Sequence, residues 1–218
     1  MPSAERDLIR SEAEHILEVG LRDLSRPVPQ YPDWTMFDLL SHLASVHGRT
    51  RIIVTELSAE RPHGSRLPEH GDVGRWFAES LDSMLEAFVA ADPGIPVWGF
   101  GSSPTVGGWE RRMVIETGLH RWDADQAAGE TRPLQEMVAT SGLDEFAGVY
   151  LPYLPGVPSM ELVATDLDRT WVVGEGEPET RAEGTASDLY LRLMSRPGAE
   201  LPPAWAEAVD SLKPPPKL

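Results

Sequence analysis

Residues 112–124 read Arg112-Met-Val-Ile-Glu116-Thr-Gly-Leu-His120-Arg-Trp-Asp123-Ala, a run with no proline and with two metal-capable side chains four positions apart. This stretch decides the fold, because it reads as a helix inside a bundle. Four residues turn a helix by about 400°, so Glu116 and His120 share one face, roughly one turn apart. Carboxylate and imidazole are both zinc donors, and at this spacing they reach one ion without bending the backbone. Alone, the pair also fits a solvated helix face. The apolar neighbours Met113, Val114, Ile115 and Leu119 argue for burial, and a buried carboxylate beside a buried imidazole needs a compensating partner.

Working outward, the third donor is sought in Trp34-Thr-Met-Phe-Asp38-Leu-Leu-Ser-His42-Leu-Ala-Ser-Val-His47. His42 is the candidate. Asp38, four residues earlier on the same face, can hold its second ring nitrogen and set the tautomer. His42 also reads as a core histidine satisfied by Asp38. Two imidazoles and one carboxylate form a usual catalytic zinc set with one position open, so zinc is the preferred ion. Nickel, cobalt and iron fit such donors too. His47 lies about 140° round the helix from His42 and does not share the site. His15 can face the core from the first helix, whereas His63 and His70 belong to a polar loop.

Around these stretches the pattern predicts four helices in the first 130 residues. They run from about Ser3 to Leu24, from Asp33 or Trp34 to about Ala59, from Asp72 to Ala91, and from Gly108 to Ala128. The second is expected to be capped by Asp33 and to bury Phe37, Leu40, Ala44, Ile52 and Leu57; the third buries Phe77, Leu81, Met84, Leu85, Phe88 and Val89. Prolines and glycines make residues 94–108 a connector. Beyond residue 130 the character changes. A helix is predicted over Leu134–Val149, then strands over Met160–Thr165, Thr170–Val173 and Glu179–Glu183, then a helix over Ala186–Ser195 and a frayed tail from Lys213. The expected organisation is α+β, with a bundle over 1–130 and a small α/β domain over 131–218.

Composition excludes several classes of function. The net charge of −16, from 35 acids and 19 bases, disfavours nucleic acid and anionic membrane surfaces as partners. With no cysteine, the chain has no disulfide, no thiolate metal site and no thiol nucleophile of its own. No run approaches the roughly 18 to 20 apolar residues of a membrane span, and the charged N-terminus lacks the apolar core of a signal peptide. A cytoplasmic protein is expected. No phosphate-binding loop or nucleophile-elbow motif is present, and the tryptophans, Trp34, Trp76, Trp109 and Trp122 among them, read as core.

Three segments carry a resemblance. Trp34-Thr35 with Asp38-Leu-Leu-Ser-His42-Leu43, and the run from Arg112 to Ala124, resemble the two N-terminal motifs of the mycothiol-dependent maleylpyruvate isomerase family. Gly184-Thr-Ala-Ser-Asp188-Leu-Tyr-Leu-Arg-Leu-Met-Ser-Arg196 resembles a recurring segment of its C-terminal domain. The resemblance implies a DinB-like four-helix bundle followed by a sterol-carrier-like α/β domain. It implies His42, Glu116 and His120 as ligands of one divalent metal, with Asp38 and Asp123 behind them, and mycothiol as co-substrate. Arg196 is then the candidate to bind a substrate carboxylate, though it also reads as a surface arginine. The implied reaction is S-transfer to, or cis–trans isomerisation of, a small electrophile. A hydrolase using metal-bound water, or a non-catalytic binder of a lipid or small molecule with a structural metal, are the competing readings.

Overall fold

The computed structural model describes residues 3–64, 66, 71–100, 104–154 and 156–212. The chain divides into two compact units, the first reaching Arg132 and the second beginning at Pro133. Seven α-helices and one three-stranded sheet are formed by the described residues, the α+β organisation expected. No helix among them is long and apolar enough to cross a membrane.

The first unit contains α1 (Ala4–Arg22), α2 (Met36–Glu56), α3 (Val73–Ala90) and α4 (Val106–Ala128). Helix α1 packs chiefly on α4, and α2 on α3. The shared core is built from Ile9, Ile16, Leu39, Leu40, Leu43, Phe77 and Met84, which are all withdrawn from solvent. Both α2 and α4 open with the same device. Thr35 and Thr105 are their N-caps, and each forms an isolated antiparallel bridge to a proline, Pro27 and Pro96 respectively. The Thr105 hydroxyl accepts the Gly108 N–H at 3.1 Å. Asp38 Oδ2 accepts from both the N–H and the hydroxyl of Thr35, each at 2.8 Å. The Thr35–Asp38 pair therefore starts α2 two residues beyond the expected Asp33 cap, and Thr105 starts α4 two residues before Gly108. At the far end of α4, Gly129 takes φ 76°, a left-handed conformation that suits glycine at a helix terminus.

Three residues expected in the core are exposed: Phe37, Leu57 and Val89. Phe37 lies in the first turn of α2 and Val89 in the last turn of α3, where the neighbouring helices no longer cover the apolar stripe. Leu57 is the left-handed C-cap of α2 (φ 48°), which ends that helix at Glu56 and not near Ala59.

The second unit contains α5 (Glu136–Val149), β1 (Met160–Ala164), β2 (Arg169–Val173), β3 (Thr180–Gly184), α6 (Ala186–Leu193) and α7 (Pro203–Asp210). The strands order β2-β1-β3, with β1 antiparallel to β2 and parallel to β3. Helix α5 packs on α6, and the fully buried Phe146, Tyr190 and Trp205 form the centre. Helix α7 has no counterpart among the expected elements. Its proline start is a helix signal, but eight residues carry too few turns to show a period, and its anchor is tertiary: the Trp205 indole donates to the Pro158 carbonyl at 2.8 Å. The expected frayed tail from Lys213 and the loop residue His70 lie outside the described residues.

Candidate metal centre

Helices α2 and α4 bring His42, Glu116 and His120 together. One ligand-capable atom from each lies within 4.8 Å of the other two. His42 Nε2 is 3.1 Å from Glu116 Oε1, and His120 Nε2 is 3.5 Å from the same oxygen. Donors placed about 2.1 Å from a tetrahedral ion stand about 3.4 Å apart along the edges. Both imidazole–carboxylate separations are close to that edge length. The His42 and Glu116 side chains are 13% and 19% exposed.

The supporting residues divide their tasks. Asp123 Oδ2 lies 2.9 Å from His120 Nδ1, which makes Nδ1 the proton-bearing nitrogen and turns Nε2 towards Glu116 and His42. Asp38, expected behind His42, caps the helix that carries it. Tyr31 and Trp34 stack on each other at 4.5 Å and wall the site, Trp34 at 5.1 Å from the His42 ring and Tyr31 at 6.0 Å from His120. Tyr31 escaped the sequence reading because it sits in a proline-punctuated loop, where no period says which way a side chain faces.

Electrostatics in the metal-free protein are strongly coupled. Burial opposes the charge on Glu116, but hydrogen bonds from His120 and His42 and their positive potential hold its carboxyl well below the usual range. Burial likewise opposes the charge on His120. Asp123 and Glu116 outweigh it and raise the imidazole to about 9. His42 goes the other way, lowered by burial despite Glu116. Near neutral pH the site therefore holds a glutamate anion between one charged and one neutral histidine.

The other histidines serve different ends. His47 is fully buried, packs edge-on against Phe77 at 5.3 Å, and is pushed by burial down to about 3. His15 Nε2 lies 2.8 Å from Asp125 Oδ1, with Glu130 near both. That second cluster already has its cations. Arg121 and Arg132 each approach Asp125 at 2.6 Å, and Arg121 also binds Glu12 at 2.7 Å. It is an ion network that joins α1, α4 and the segment after α4. Arg196 belongs to the second unit and is buried, not a surface residue; its Nη1 donates to the Met194 carbonyl at 2.6 Å.

Residues 7–125 match the family model described as the mycothiol maleylpyruvate isomerase N-terminal domain. Among solved structures, the crystal structure of the mycothiol-dependent maleylpyruvate isomerase is similar over 93% of this chain and 95% of that one, with a TM-score of 0.71 and 12% identity. The crystal structure of a histidine-to-alanine mutant of the mycothiol-dependent maleylpyruvate isomerase matches with the same values. At that identity the likeness is one of fold. A search of curated protein sequences finds no match. The family match covers more than half of the chain, together with the two helices that carry the histidine–glutamate cluster, and the chain accordingly belongs to the mycothiol maleylpyruvate isomerase N-terminal domain family.

Proposed function

We propose that this chain is a mycothiol-dependent metalloenzyme that holds one divalent ion, preferably zinc, on His42, Glu116 and His120, and acts on a small electrophile by S-transfer or cis–trans isomerisation. The observation that carries the reading is the convergence of the three donors within 4.8 Å of one another, with the two imidazole nitrogens 3.1 and 3.5 Å from one Glu116 oxygen. Family membership and the likeness to a mycothiol-dependent isomerase support the thiol. With no cysteine in the chain, the sulfur comes from outside.

Zinc at such a site supplies a Lewis acid that lowers the pKa of an incoming thiol. The chain's own residues do the rest. Asp123 orients His120. Glu116 stays anionic and is a ready ligand. His120 gives up its Nε2 proton as the ion enters. Tyr31 and Trp34 exclude water from one flank. The thiolate sulfur would then add to one carbon of an activated double bond as the π pair moves onto the activating carbonyl; rotation about the resulting single bond and expulsion of the same thiolate isomerise the substrate, and delivery of the thiol's proton to the enolate carbon leaves the sulfur attached, which amounts to transfer.

Metal analysis of the purified protein tests the reading. About one zinc per chain is expected, largely lost in His42→Ala, Glu116→Ala and His120→Ala variants that keep their helical circular dichroism. Wild type that takes up no zinc when reconstituted would remove the proposal. Turnover without any thiol would favour a hydrolase.

A further inference from the structure

The C-terminal end of α4 makes a second meeting point of metal-capable side chains in the first unit. Gly129 turns the chain left-handed after the helix, and the Glu130 N–H folds back onto the Asp125 carbonyl at 2.8 Å. The turn brings Glu130 and Arg132 towards His15 of α1. His15 Nε2, a carboxylate oxygen of Asp125 and one of Glu130 lie within 4.8 Å of one another; apart from the His42 cluster, no other group of three among the described residues does so.

One cationic atom stands among these donors. Arg132 Nη2 lies 2.6 Å from Asp125 Oδ1 and 3.7 Å from Glu130 Oε2, and it touches His15 Nε2. The guanidinium nitrogen is thus placed where an ion would be, but it fits imperfectly. His15 Nε2 is also 2.8 Å from Asp125 Oδ1. A ring nitrogen carries either a proton or a lone pair. With a proton it satisfies Asp125 and opposes the Arg132 N–H; with a lone pair it accepts from Arg132 and opposes the carboxylate. A metal ion removes the conflict, because the Nε2 lone pair and the carboxylate oxygen both become its ligands. Charge points the same way. With His15 neutral, Glu12, Asp125 and Glu130 face two guanidinium groups, Arg121 and Arg132. One negative charge is left over, and a dication in place of Arg132 balances it.

Arg132 is free to leave. Its side chain is 48% exposed, and its backbone carbonyl is held by Arg121 Nη1 at 3.3 Å, so the side chain swings out while the turn stays. Arg121 remains on Asp125 Oδ2 at 2.6 Å and on Glu12 at 2.7 Å, which leaves Oδ1 for the ion. Displacement has a cost, since Arg132 Nε also holds Asp125 Oδ2 at 3.1 Å and two-pronged pairs are strong.

We propose that His15, Asp125 and Glu130 form a second, weaker site for a divalent transition-metal ion such as zinc, with the Arg132 guanidinium as its built-in competitor. The bound ion cross-links α1 to the end of α4. The site is independent of His42, Glu116 and His120. Its affinity is micromolar, so dialysis empties it and the purified protein carries no ion here.

Equilibrium dialysis of the whole chain carrying His42→Ala, which disables the first cluster, against about 1 to 100 µM zinc tests the proposal, with circular dichroism as the check on folding. About one zinc per chain is expected, half-saturated near 10 µM. In that background His15→Gln weakens uptake at least about 10-fold, whereas Arg132→Gln tightens it about 5-fold. Tightening is the mark of a competing cation; loss of a merely structural arginine would not produce it. The proposal is overturned by no uptake over this range, by uptake indifferent to His15→Gln (adventitious surface zinc only), or by affinity that Arg132→Gln leaves unchanged or weakens. The metal reading of the first cluster is judged separately, by the additional zinc that wild type holds over His42→Ala.

Discussion

His120 lies between two carboxylates, Asp123 at 2.9 Å from Nδ1 and Glu116 at 3.5 Å from Nε2, and in the metal-free protein it keeps its proton up to about 9. On the proposed reading a zinc ion would take the deprotonated Nε2, so binding at pH 7 is expected to release about one proton. Affinity rises with pH until about 9 and levels off above it. Titrations in buffers of different ionisation enthalpy measure the proton directly, and identical apparent enthalpies in all of them would contradict the assignment. The linkage to stability has the opposite sense. A histidine raised from 6.5 to about 9 stabilises the metal-free fold fully below pH 6.5, and that contribution is lost as pH rises through 9. Asp123→Asn removes the charge behind the imidazole and is expected to lower zinc affinity by about 10- to 100-fold.

At the scale of single elements, caps and close approaches set the positions that periodicity leaves open. The threonine caps of α2 and α4 fix where the helices that carry His42 and Glu116 begin. Helix α5 depends on a close approach. A Cβ placed on Gly142 would stand 2.3 Å from the ring of the fully buried Tyr190, while one on Gly148 in the same helix would meet nothing within 4 Å. The two glycines therefore predict opposite outcomes. Gly142→Ala should destabilise by about 1 to 3 kcal/mol through overpacking, and Gly148→Ala should be neutral or gain up to about 1 kcal/mol of helix propensity. Urea denaturation followed by circular dichroism separates them; equal effects at both positions would exclude the packing account.

At the scale of the first unit, the joint between α1 and α4 is ionic as well as apolar. Asp125 is fully buried and held between Arg121, Arg132 and His15, which keep its carboxyl below the usual range against the cost of burial. Neutralising it removes one of the two carboxylates, Asp125 and Glu12, that balance the buried Arg121. Asp125→Asn is expected to cost about 3 to 5 kcal/mol, read as a lowered urea midpoint. A loss below about 1 kcal/mol would mean that water replaces the carboxylate.

Periodicity and side-chain chemistry alone determined six of the seven α-helices of the described residues, the α+β order and the pair Glu116–His120, because a helix places residues four apart on one face whatever surrounds it. The three strands were legible within a residue or so at each end, since glycine and proline punctuate them. The meeting of His42 with that pair was legible only through family resemblance. No local rule says which face of α2 meets which face of α4, and packing of the whole bundle core settles it. Tertiary structure alone decided that Tyr31 closes one flank of the site, that His15 and Asp125 belong to an ion network, and that Trp205 anchors a short last helix. Each of these depends on contacts between segments distant in the chain, and the free energy of such contacts exists only once the core has brought them together.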